Sequence, residues 1–246
     1  MMRKELRSYW EASRAHRYSL LFALPLLLLY ELLEAVAPVR MSGGVIRNGA
    51  DVVLTSLFTA LLGTRGPLVF MAAVIGVSLW LIWRDRRGGP LKPRYFLLMF
   101  AESVVLAALF GLVVGTVTVQ ILGPLRALMA GGGDGLPASM LARLTLSLGA
   151  GLYEELLFRV VLVAMIANGL RLLGAGRGTA GVIATIVGAL LFSAFHHIGS
   201  LGEPFRLEAF VFRTIAGIAF SALYLTRGFG ITAWTHALYD VAVMLG

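Results

Sequence analysis

The chain has 246 residues, 59% of them hydrophobic and 14% charged, against roughly 45 to 50% apolar and about 25% charged in a soluble globular protein, so a water-soluble domain is excluded. Its net charge of +8 comes mainly from basic residues at the borders of apolar runs, where they set orientation and meet anionic headgroups. They imply a lipid bilayer as partner and no nucleic acid. The absence of cysteine removes disulfides, thiolate catalysis and thiolate metal sites.

Only helices and closed barrels satisfy their backbone in lipid. Length and composition therefore predict an integral membrane protein, an all-α polytopic membrane helix bundle of about seven or eight transmembrane helices. Residues 1–17 read as a polar cytoplasmic or interfacial segment around Trp10, and residues 18–246 as a single membrane-embedded bundle. The first apolar run, 18–37, imitates a secretory signal, with Ala35-Val36-Ala37 as its cleavage site. Pro38, Glu31 and Glu34 argue against removal. Glu31 is deep enough to need a partner, and Arg47, Asn48 and Asp51 follow it; a structural ion pair between the first two segments is favoured over a polar cavity lining.

Residues 51–63 are marginal for a span, whereas 67–83 are long enough. Arg84-Asp85-Arg86-Arg87 through Lys92 and Arg94 form the strongest basic loop, which should be cytoplasmic. If the amino end is cytoplasmic too, an even number of crossings separates them and 51–63 does not span; if it does span, the positive-inside pattern is broken somewhere. Residues 95–122 span next, carrying Glu102 and the pair Gly111 and Gly115, whose spacing favours close helix packing. A glycine-rich connection follows at 131–135, without the lysine of a phosphate loop. Residues 138–170 exceed one span, and Gly149 and Gly151 predict a bend or break there. Spans at 179–198, 209–226 and 231–245 complete the chain.

Within 138–170 stand Glu154, Glu155 and Arg159, each charge costing about 2.5 to 3.5 kcal/mol at the centre of a membrane helix on insertion scales. Such a cost points to function. Glu155 and Arg159 are four apart, acid before base, and can neutralise each other. Glu154 is turned about 100° from them on an α-helix, so its partner must come from another helix. His196, four after Phe192, and His236, four before Asp240, lie on two further spans. Packed together, Glu154, His196 and His236 form a polar pocket with room for water. A carboxylate in an apolar bundle is a stronger base than one in water. Glu154 would take a proton from water also held by His196, and His236 with its neighbour at 240 would stabilise the oxyanion.

The three groups Glu154-Glu155-x-x-x-Arg159, Phe192-x-x-x-His196 and His236-x-x-x-Asp240 resemble the ordered motifs of the CAAX prenyl protease and bacteriocin-processing family of intramembrane glutamate endopeptidases. The resemblance covers residues from about 144 to the carboxyl end, and the catalytic core is expected at about 138–246. It implies a bundle of about eight helices with a site inside the membrane. Glu154 would be the base, His196 its assistant, His236 with position 240 the oxyanion site, and Glu155, Arg159 and Phe192 their support. It implies no metal and no cofactor, and a membrane-associated peptide or protein as substrate. The prenyl-processing enzymes have asparagine where this chain has Asp240. An ionised aspartate cannot donate to an oxyanion, so Asp240 is either protonated or orients His236, and a prenylated substrate is put in question. The zinc-hydrolase reading lacks an H-E-x-x-H motif, and the transporter reading lacks paired halves. A non-catalytic scaffold or immunity protein of the same family is the remaining alternative.

Overall fold

The computed structural model describes residues 2–41, 44–126, 139–199 and 202–245. The expected glycine-rich connection at 131–135 lies outside them. The described residues form helices α1 (Met2–Arg14), α2 (His16–Val36), α3 (Gly49–Leu62), α4 (Gly66–Arg84), α5 (Pro93–Arg126), α6 (Met140–Gly149), a π-helical segment (Ala150–Val163), α7 (Ala164–Leu172), α8 (Arg177–Phe195), α9 (Leu207–Arg227) and α10 (Phe229–Leu245). Two-residue strands β1 (Arg40–Met41) and β2 (Gly44–Val45) pair antiparallel between α2 and α3. This is an all-α polytopic bundle. Five helical runs among the described residues are long and apolar enough to cross a membrane: His16–Val36, Gly49–Arg84, Pro93–Gly123, Arg177–Phe195 and Leu207–Arg227.

The second of these runs is a hairpin. The chain turns back through Gly63–Arg65, bringing Phe58 of α3 and Phe70 of α4 to a ring separation of 5.3 Å. A 14-residue α3 rises only about 21 Å, short of the roughly 30 Å hydrocarbon core. Meanwhile the start of α2 meets the end of α4. The Arg17 amide donates to Asp85 at 3.2 Å, its guanidinium reaches the Gly89 carbonyl, and the Lys92 amide donates to the Tyr18 hydroxyl at 2.7 Å. The beginning of the first span and the basic loop thus share one end of the bundle.

α1 is held onto that end by a buried ion pair. Arg227 of α9 forms a two-pronged contact with Glu102 of α5 at 2.5 and 2.7 Å, donates to Ser13 at 3.0 Å and lies 3.8 Å from the Trp10 ring centroid. Tyr9 donates to the same carboxylate at 2.5 Å. One guanidinium therefore ties α1, α5 and α9 together. Desolvation in this contact, and the hydrogen bond to Glu102, push the Tyr9 hydroxyl above its ordinary value of 10.0.

Apolar packing completes the frame around the site. One cluster joins Leu26 and Tyr30 of α2, Leu54 of α3, Phe70 of α4, Tyr153 of the π segment and Ala233 and Ala237 of α10. Another joins Phe110 and Val114 of α5 to Ala216 and Phe220 of α9. α10 runs between the two.

Candidate active site

The run from Met140 to Leu172 does not break at Gly149 or Gly151. Both glycines instead permit close approach. A β-carbon at 149 would lie 2.6 Å from the Tyr30 ring and 2.8 Å from Asn48 Cβ, and one at 151 would lie 2.4 Å from the Ala233 carbonyl oxygen. Their hydrogens let α2, α3 and α10 close on the helix just before the acidic pair. What changes is the winding, which becomes π over Ala150–Val163, a rare form found often at functional sites. The α-helical step of about 100° expected between neighbouring side chains is therefore not the local geometry.

Three consecutive side chains, all buried, go to three destinations. Tyr153 donates to Glu31 of α2 at 2.7 Å. Glu154 accepts from the amide nitrogen of Asn48 at 3.0 Å through Oε1. Its Oε2 lies 4.0 Å from His196 Nε2 and 4.0 Å from His236 Nε2. Glu155 lies 3.1 Å from Arg159 and accepts from His236 Nδ1 at 2.8 Å. Glu154 is thus buried among polar partners contributed by other helices.

The two histidines are fixed by their Nδ1 atoms. His196 donates Nδ1–H to the Phe192 carbonyl at 2.9 Å, since a carbonyl only accepts, and so turns Nε2 toward Glu154. His236 places Nδ1 on Glu155 and turns Nε2 toward Glu154 and toward Asp240, 3.6 Å away. Orientation of His236 thus falls to Glu155, and Asp240 adds a second carboxylate beside Nε2. The i,i+4 spacing within α10 correctly brought His236 and Asp240 near each other, but the shorter contact crosses between helices.

Aromatic rings wall the site. Phe220 of α9 stacks on His236 with centroids 4.3 Å apart, Phe192 meets His196 edge-on at 5.0 Å, and the Arg159 guanidinium sits 4.5 Å from the Phe192 centroid. Phe192 therefore serves both the histidine and the arginine. The site opens where His196 and Asp240 keep 23% and 21% side-chain exposure, against 8% for Glu154.

Beyond His196, Glu203 donates its backbone N–H to the His196 carbonyl at 2.9 Å and pairs with Arg213 of α9 at 2.6 Å. Sequence reasoning missed Arg213 and Phe220, which belong to no motif, and it linked Asn48 only to Glu31. On that side Arg47 contacts Glu31 at 3.0 Å and Asp51 at 2.5 Å, and a cavity of about 480 Å³ is lined by all three with Thr55, Phe70 and Met71. The ion pair and the polar cavity lining, weighed as alternatives, are both present. Among the described residues no group of three or more His, Asp or Glu side chains is placed to hold a metal ion.

Fold and site together define the class: an integral membrane helix bundle with a buried glutamate facing imidazoles from two other helices. Residues 136–242 match the family model described as type II CAAX prenyl endopeptidase, Rce1-like. The match contains Glu154, Glu155, Arg159, Phe192, His196, His236 and Asp240; Asn48, Glu31 and the rest of α1 to α5 precede it. Neither the curated proteins nor the solved structures gave a match to the chain.

Proposed function

We propose that the protein is an intramembrane endopeptidase of a bacterial inner membrane, hydrolysing a peptide bond of a membrane-associated peptide or protein by glutamate-activated water. The observation that carries this reading is the equal 4.0 Å separation of Glu154 Oε2 from the Nε2 atoms of His196 and His236. That gap is too long for a direct hydrogen bond and short enough for one water to touch all three groups. Glu154 accepts a proton from that water as its oxygen attacks the peptide carbonyl, with His196 Nε2 holding the water's second hydrogen. The same proton passes to the leaving amine when the carbon–nitrogen bond breaks, giving a carboxylic acid and an amine.

His236 is the oxyanion donor in this reading. Both of its nitrogens face carboxylate oxygens, an arrangement complementary to an imidazolium with two N–H groups. Asp240 then contributes through its charge beside His236 and has no need to donate a hydrogen bond. No metal or cofactor enters the scheme.

The test is a substrate trap. Membranes from cells carrying Glu154→Ala, compared with wild type, should accumulate uncut peptides or proteins that purified wild-type enzyme then cleaves. Processing in cells that is unaltered by Glu154→Gln, which preserves volume while removing the charge, together with no cleavage by the purified wild-type protein, would overturn the mechanism and favour a non-catalytic scaffold or immunity protein.

A further inference from the structure

We infer that Asn48, the N-cap just before α3 and outside the segment that matches the family model, is the positioning residue that sets the Glu154 carboxylate for reaction; the inference rests on the glutamate reading above. The backbone N–H, side-chain oxygen and side-chain nitrogen of Asn48 each have a distinct task. Its side-chain oxygen accepts from the Ala50 amide at 2.9 Å, capping α3. That bond fixes which end of the amide is nitrogen, and the nitrogen is left to donate to Glu154 Oε1 at 3.0 Å. With Oε1 engaged, Oε2 is the oxygen presented to the two imidazoles.

The amide is itself held in a closed frame. The Asn48 backbone N–H donates to the Tyr30 hydroxyl at 3.3 Å, and that hydroxyl donates to Asp51 at 2.8 Å. Asp51 is also bound by Arg47 and by Thr55 at 3.1 Å, Arg47 binds Glu31, and Glu31 accepts from Tyr153. Tyr153 is the residue before Glu154, so the circuit returns to its start. On the other side of Asn48, a β-carbon at Gly49 would come 3.1 Å from the Phe195 ring, beside His196. The start of α3 thus packs against Phe195 of α8 while Asn48 holds Glu154. A helix cap alone requires none of this.

Kinetics of purified full-length variants on a peptide substrate recovered by the trap separate capping from positioning. Asn48→Ala removes cap and donor; Asn48→Ser keeps a capping oxygen but is too short to donate to Glu154. Both variants are expected to lower kcat about 10- to 100-fold, matching the loss of one hydrogen bond to a charged group, with KM within about twofold of wild type. The acidic limb of the kcat–pH profile should move to higher pH in both, because the ionised base has lost a donor. Thermal unfolding of Asn48→Ser is expected to stay close to wild type. A Ser variant with wild-type kcat and pH profile would reduce Asn48 to a cap and overturn the inference. Glu154→Gln measured alongside distinguishes the two failures: if it is active, the glutamate mechanism falls and this inference with it.

Discussion

Glu155 accepts a hydrogen bond from His236 Nδ1 at 2.8 Å while lying 3.1 Å from Arg159, so one fully buried carboxylate serves a histidine on another helix and an arginine on its own. Removing one member of such a group leaves an uncompensated buried charge, at a cost of about 3 to 5 kcal/mol. Glu155→Ala should therefore lower both stability and activity. Glu155→Ala combined with Arg159→Met should recover most of the stability and none of the histidine's orientation. Unfolding in detergent and peptide cleavage, measured on the single and double variants, check the two expectations separately.

Asp240 stands beside His236 Nε2 without being its orienting partner. If its charge supports a protonated His236, Asp240→Ala should reduce kcat by about tenfold or more. Asp240→Asn replaces that charge with an amide that can itself donate to the oxyanion, and should retain more activity than the alanine variant. Equal loss in the two would remove position 240 from the oxyanion site.

Tyr9 lies in α1 and is pushed above its ordinary value of 10.0 by burial and by Glu102. The unfolded chain loses this proton near pH 10 while the folded chain keeps it, so above pH 10 the native state binds more protons and stability falls as pH rises. At and below neutral pH the effect is absent. Tyr9→Phe should flatten the decline in unfolding temperature above pH 10 relative to wild type. Coincident wild-type and variant curves there would place the hydroxyl in water.

Chelation tests the metal-free scheme directly. Cleavage by enzyme treated with a strong chelator should stay within about twofold of the untreated rate. A loss restored by zinc would replace Glu154-activated water with metal-bound water as the nucleophile.

The class of fold was legible because apolar runs broken by basic loops leave the backbone few alternatives, and helix positions followed the runs to within a few residues. Glu154, His196 and His236 stood out for a similar reason: polar groups at membrane depth need partners. Asn48 is different. A polar residue just before a helix reads as a cap, and nothing local tells that its amide reaches a carboxylate more than a hundred residues away. The π winding was hidden too. It shows only in how Tyr153, Glu154 and Glu155 divide among neighbours, and the Gly149 and Gly151 that foretold a break are spacers whose purpose depends on what packs against them. For His236 the sequence offered Asp240 at the right interval, but tertiary packing brought Glu155 closer.

The hydrogen at Gly151 works as a gauge. A methyl there would meet the Ala233 carbonyl oxygen at 2.4 Å and the Ala237 side chain at 2.6 Å, on either side of His236 along α10. Lengthening this contact by even an ångström would draw one imidazole away from Glu154 while leaving the other, just past the end of α8, where it was. The reach of the glutamate is therefore calibrated by a position that carries no polar side chain at all.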